Sequence, residues 1–364
     1  MNTYRNLLLV AVSALFALGI VMIFNTTSAE VLDLSLHEST HQALFKQFAF
    51  ALLAFTGGSF LWRVGYRRFL EFSPLLLLIF SILLLFCLLP GIGHEVNGSK
   101  RWIHLGSLSI QPSEFVKYLI PAFLIAQLQN RWREPKQFFK LFGIVLVPIF
   151  LILIEPNNGT VGVIIVSLLV LCFITRVPAK YWALPLACLL AIGAFAAVQL
   201  PYVRGRLNVY WNPELDLLGK GHQPHQAKVA AGSGGLWGKG PGQSLQKLSY
   251  LPEAQNDYIA AIYAEEFGFV GIMLLILLYV VILYAGFSIA QYLECEQAIF
   301  LSTIITFLMT FQAFLNLGVV SGLLPSTGLN LPFFSQGGSS LIAHSMGIGL
   351  LLSLSEEAKC RGMY

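Results

Sequence analysis

The chain has 364 residues, of which 56% are hydrophobic and only 11% charged, with a net charge of +4. A soluble domain carries about 25% charged residues, so this sequence lacks the polar surface a water-soluble fold would need. It reads as a polytopic membrane protein, in agreement with its mean hydropathy of +0.73, and no nucleic-acid partner is expected.

Crossing the hydrocarbon of a bilayer takes roughly 20 apolar residues. On that rule ten spans are predicted, over 6–24, 45–62, 72–89, 112–128, 141–154, 159–175, 181–199, 258–287, 297–319 and 338–354. The fold expected is all-α, because a helix satisfies its own backbone in lipid. The first apolar run is longer than a signal-peptide core and is read as a retained span. The fifth and sixth spans are short and flank EPNNGT (155–160), which predicts a pair bent around that turn.

Lys and Arg crowd the segments that alternate with the first outer loop, including Arg5, Arg63, Arg67, Arg68, Arg131, Arg133, Arg176, Lys180 and Arg361. Positive residues favour the inside, so both termini are predicted to be cytoplasmic. The one long loop, 201–257 between spans seven and eight, then lies on the outer face. All five cysteines fall in spans or on the inner side, and no disulfide framework is implied. With no internal repeat, residues 1–364 read as a single domain.

Few residues could carry chemistry. Pro112 suits the first position of a helix, and Glu114 suits its positive end. Glu114 and Lys117 are three apart and share a face, which allows either a local salt bridge or an anion site in a polar cavity. Arg101 and Lys100, beside Trp102, are either interfacial anchors or a clamp for a phosphate at headgroup level. GSGGLWGKGPG (232–242) fits no nucleotide-binding pattern and reads as flexible loop backbone. His222 and His225 lack the further ligands a zinc site needs. Asp257 precedes an apolar helical run, where it could cap the helix, act as a catalytic acid or base, or do both. Glu265 and Glu266 follow about 12 Å further along that helix, too far to form a close acid–base pair with it.

Four motifs carry a resemblance: RWIHLGSLSIQPSEFVK, WNPELDLLGKGHQ, GSGGLWGKGPGQSLQKLSYLPEAQNDYIAAIYAEEFGFVG and GLLPSTGLNLPFFSQGGSSL. In this order and over essentially the full length, they resemble the SEDS proteins of bacteria, the shape, elongation, division and sporulation polymerases. SxQKLxYLPEA and LLPxxGLxLPF look like the division branch of that family more than the elongation branch. The resemblance implies a ten-span peptidoglycan glycosyltransferase that polymerises lipid II on the outer face of the cytoplasmic membrane. Asp257 is its implied general base, with Arg101, Glu114 and Lys117 at the substrate. The same motifs offer Arg204, Lys247, Glu253, Glu265 and Ser339 as further substrate-binding candidates. A divalent cation, Mg2+ or Mn2+, is implied to assist, and a class B penicillin-binding transpeptidase and other division proteins are the implied partners.

The sequence departs from the family pattern in three places. LPEAHTDF reads LPEAQNDY, with Gln255 and Asn256; PDxGT reads PNNGT, with Asn158 read as standing at the acidic position; and SYGGSS reads SQGGSS, with Gln336. Two other functions stand beside the polymerase: a transporter that carries lipid II across the bilayer, and a non-enzymatic scaffold that recruits the transpeptidase.

Overall fold

Each predicted span falls on a helix: α1 (Asn2–Leu34), α2 (Gln42–Val64), α3 (Tyr66–Leu88), α4 (Pro112–Ala126), α5 (Pro135–Ile154), α6 (Asn158–Ile174), α7 (Ala179–Gln199), α9 (Ile259–Gln291), α10 (Glu296–Val320) and α11 (Gly338–Arg361). One more, α8 (His222–Ser233), lies in the long loop between α7 and α9. The structure is a computed structural model that describes residues 2–34, 42–91, 93–96, 99–105, 108–127, 134–199, 205, 209–211, 219, 221–248, 251 and 254–361.

Length and composition support six of the ten predicted spans as membrane-crossing helices. Among the described residues six helices are long and apolar enough to cross: α1, α3, α5, α9, α10 and α11. With 15 and 17 residues, α4 and α6 reach only about 22 and 25 Å, short of a hydrocarbon core of about 30 Å. A second difference from the all-α expectation is a three-stranded antiparallel sheet between α3 and α4. Its strands are β1 (Gly93–Val96), β2 (Ser99–Leu105) and β3 (Leu108–Ile110), in that order. The segment joining α3 to α4 is too polar to continue a span, so its backbone pairs with itself.

Helix α4 forms the centre of the molecule. Thirteen of its residues are buried, and α3, α6, α10 and α11 pack around it. Pro112 occupies its first turn, as its fixed φ favours, and Glu114 lies at the positive end of the helix dipole. Around this core α2 lies along α11, and α1 along α9.

Helix α9 is broken near its N-terminal end. Gly268 has φ +66°, outside helical space, and the freed backbone is taken up by the glycine-rich loop. Lys239 and Gly240 donate to the carbonyl oxygens of Glu265 and Glu266, while Phe269 and Val270 donate to those of Gly235 and Leu236. The 232–242 segment is therefore a fixed clasp and not the flexible loop expected from its composition. Glycine is required here for contact as well as conformation. A β-carbon on Gly238 would stand 2.1 Å from the Glu266 carbonyl oxygen, and one on Gly268 would stand 2.3 Å from the Gly238 nitrogen. Gly238→Ala and Gly268→Ala are each expected to destabilise the protein by more than about 1 kcal/mol, read as a lowered Tm in detergent.

Candidate functional site

The site is built around the segment between α10 and α11, the GLLPSTGLNLPFFSQGG stretch. It has no helix or strand of its own, so its backbone groups are satisfied by side chains from neighbouring helices. Gln312 Nε2 donates to the Asn330 carbonyl at 2.8 Å, and Asn316 Nδ2 donates to that of Leu329 at 2.7 Å. Tyr279 Oη donates to the Pro332 carbonyl at 2.6 Å. Internally, Asn330 Nδ2 reaches the Gln336 carbonyl and Ser335 Oγ accepts from the Leu331 nitrogen. The segment is thereby locked as a rigid platform.

Asp257 sits on this platform. Its carbonyl accepts from the same Asn316 amide at 2.8 Å, and the Gln336 nitrogen donates to the carbonyl of Gln255 at 3.0 Å. The carboxylate is half-buried and lies over Gly328, where a β-carbon would stand 3.7 Å from Oδ2. The residue at the N-cap position of α9 is Tyr258, one beyond Asp257, and the Tyr258 side chain makes no cap bond. Gln255 and Asn256 follow the same turn, both half-buried.

Beneath the platform runs a buried polar chain. Lys117 Nζ lies 2.6 Å from Glu114 Oε2 and 2.7 Å from Gln312 Oε1, with the Lys117 side chain only 1% exposed. The shared helix face expected from their spacing thus closes as an ion pair. Lys117 is enclosed by protein, and its link to the site passes through Gln312. Next to it Tyr118 Oη meets His344 Nδ1 at 2.6 Å.

Arg101 projects from β2 to the turn between α5 and α6, donating from Nε to the Glu155 carbonyl at 2.9 Å and from Nη2 to that of Pro156. That turn in turn meets the platform: a β-carbon on Gly159 would stand 2.4 Å from the Thr327 carbonyl oxygen. Ser339, at the start of α11, accepts from the Gln111 nitrogen at 2.9 Å and so joins α11 to the sheet and α4. Counting along PNNGT also corrects the motif reading, because the acidic position of PDxGT falls on Asn157 and not Asn158. Asn157 caps α6 through Thr160 N and donates from Nδ2 to Ser113 Oγ at 3.1 Å. Its role in the fold is that of an N-cap, which an amide performs as well as a carboxylate.

Lys247 and Glu265 are engaged elsewhere. Lys247 Nζ meets Glu266 at 3.0 Å, Asn25 Oδ1 at 2.7 Å and the Gly242 carbonyl. Glu265 accepts from Lys239, Ser233 and Ser244, and from the nitrogens of Leu245 and Gln246. Both carboxylates of the Glu265–Glu266 pair therefore fasten the glycine-rich loop to the break in α9. Arg204 and Glu253 lie outside the described residues. Among the described residues no three His, Cys, Asp or Glu side chains converge as metal ligands.

Gln312 and Asn316 were not singled out from the sequence, although a signal was present. They are polar, four apart and thus on one helix face, inside an otherwise apolar span, where such residues are expensive to place.

The geometry can be set beside known proteins. The FtsW/RodA/SpoVE family model, described as cell cycle protein, matches residues 5–360. The stage V sporulation protein E of Bacillus subtilis is 37% identical over 98% of this chain and 99% of its own length. A probable peptidoglycan glycosyltransferase FtsW of Saccharophagus degradans is 38% identical over 91% of this chain and 87% of its own. Among solved structures, a chain from a peptidoglycan synthase complex that polymerises and crosslinks superposes with a TM-score of 0.75 at 27% identity, covering 96% of this chain and 97% of that one. The rod shape determining protein RodA of Thermus thermophilus gives 0.67 at 26% identity, with 96% of each chain covered. With its motifs, its fold and these relatives in agreement over nearly the whole length, the chain belongs to the SEDS family of FtsW, RodA and SpoVE.

Proposed function

We propose that this protein is a peptidoglycan glycosyltransferase that polymerises lipid II at the outer face of the cytoplasmic membrane during cell division. The observation that carries the reading is Asp257: a half-buried acid, bound through its backbone to a rigid platform. In this mechanism Asp257 takes the proton from the acceptor sugar hydroxyl as that oxygen attacks the anomeric carbon of the donor chain. The anomeric bond to undecaprenyl pyrophosphate breaks with inversion, and the negative charge of the leaving group is met by Arg101. Lys117 holds the platform in register through Gln312. A divalent cation, Mg2+ or Mn2+, enters only as a companion of the substrate's pyrophosphate, and no step is assigned to it.

All ten long helices other than α8 cross the membrane in this reading, with both termini cytoplasmic. The shortness of α4 is no obstacle, since protein and not lipid surrounds it. The division branch is supported by the FtsW relatives, and a class B penicillin-binding transpeptidase is the expected partner. Purified full-length protein, incubated with lipid II with and without such a transpeptidase, is expected to yield glycan polymer resolvable by gel. An absence of polymer in both arms, with labelled lipid II instead crossing a proteoliposome bilayer, would replace the polymerase with a transporter.

A further inference from the structure

Glu155, at the end of α5, is a buried group that this mechanism does not use. It is completely buried, and its carboxylate oxygens meet no hydrogen-bond donor other than the weak Cys87 thiol. An ionised carboxylate in such surroundings is strongly disfavoured, so the neutral acid is the stable form until the solution is alkaline. Burial pushes its pKa up to about 8, against the opposing pull of the Arg101 guanidinium and the Cys87 thiol. Those two, from β2 and the end of α3, are the charged and titratable groups that act on it among the described residues.

The position of Glu155 ties it to the candidate substrate site. Its own carbonyl and that of Pro156 are what the Arg101 guanidinium binds. A carboxylate is a stronger acceptor for a guanidinium than a carbonyl oxygen, and it can accept from two N–H groups at once. The same residue thus offers Arg101 a carbonyl anchor when neutral and a competing carboxylate when ionised.

We propose that Glu155 is a positioning residue for Arg101: as a neutral acid it leaves the guanidinium on the two carbonyl oxygens, directed to the substrate's pyrophosphate, and as a carboxylate it draws the guanidinium to itself. On losing its proton to the outer solution it removes the phosphate contact. The proposal rests on the reading of Arg101 as the group that meets the pyrophosphate.

The test is binding of undecaprenyl pyrophosphate to the full-length protein in detergent, followed by tryptophan fluorescence, since Trp102 adjoins Arg101. It is paired with KM and kcat for lipid II over the same pH range. With a midpoint of about 8, the competent fraction at about pH 9 falls to roughly a tenth, so the wild-type Kd and KM are expected to rise about tenfold while kcat holds. Glu155→Gln, which is permanently neutral and of the same shape, is expected to give a Kd and KM that do not follow pH. Arg101→Gln is expected to bind weakly at every pH. A wild-type profile that is flat, or a Glu155→Gln profile that rises in parallel with it, overturns the proposal. If Arg101→Gln binds as tightly as wild type, the reading of Arg101 fails and the proposal with it. A thermal unfolding curve for each variant separates these outcomes from misfolding.

Discussion

Asp257→Ala is expected to lower lipid II polymerisation by about 10²–10⁴-fold, the usual contribution of a positioned general base. The α9 N-cap is Tyr258, and the Asp257 backbone carbonyl is one of the contacts that fasten the loop. The Asn316 bond therefore survives the substitution, and Tm in detergent should stay close to wild type. Asp257→Asn, which keeps the shape but cannot accept the proton, should be as inactive as the alanine variant. Activity retained in either variant, measured as glycan polymer from purified lipid II, would remove Asp257 from the mechanism.

The second large effect is expected at Lys117. Truncating one member of a buried ion pair leaves the other charged and uncompensated, which typically costs about 3–5 kcal/mol. Lys117→Ala would strand Glu114 and would also leave Gln312 Oε1 without its donor. Gln312 holds the platform at Asn330, so both stability and activity should fall. Lys117→Met combined with Glu114→Gln removes the stranded charge, and it should recover most of the lost Tm while activity stays low. Thermal unfolding and polymerisation measured on the same preparations test both halves. If the double variant recovered neither, stranded charge would not be the cause.

Much of the fold was legible from the apolar runs alone, since each of the ten segments marked by length lies on a helix. What the runs could not reveal was how much of each helix meets lipid. Helix α4 has the apolar character of a span, but protein surrounds it, and burial depends on neighbours far away in the chain. The sheet over 93–110 was missed for a related reason. Three strands of four, seven and three residues give too short a pattern to stand out beside long helices. The glycine-rich loop was misread because its pairing partner, the broken turn of α9 at Gly268, looks in sequence like any other glycine in an apolar helix.

At the site the division is similar. Glu114 and Lys117 were legible as a pair because i,i+3 spacing is a local property of a helix. The fates of Lys247 and Glu265 were not, since their partners, Glu266 with Asn25 and Lys239 with Ser244, are brought together only by the closing of the long loop onto α9.

By itself the sequence determined a membrane protein, its long helices and, through four ordered motifs, a family and one aspartate. These are properties of composition, periodicity and local spacing, and they survive without knowing which segment touches which. Tertiary structure alone decided that Asp257 is held on the platform through its backbone, and that Lys117 is enclosed behind Gln312. It also decided that the Glu265–Glu266 pair binds a loop, and that Glu155 lies buried beside Arg101. Each of those depends on residues tens to hundreds of positions apart meeting where water is excluded, and there the partner sets the energy of a polar group.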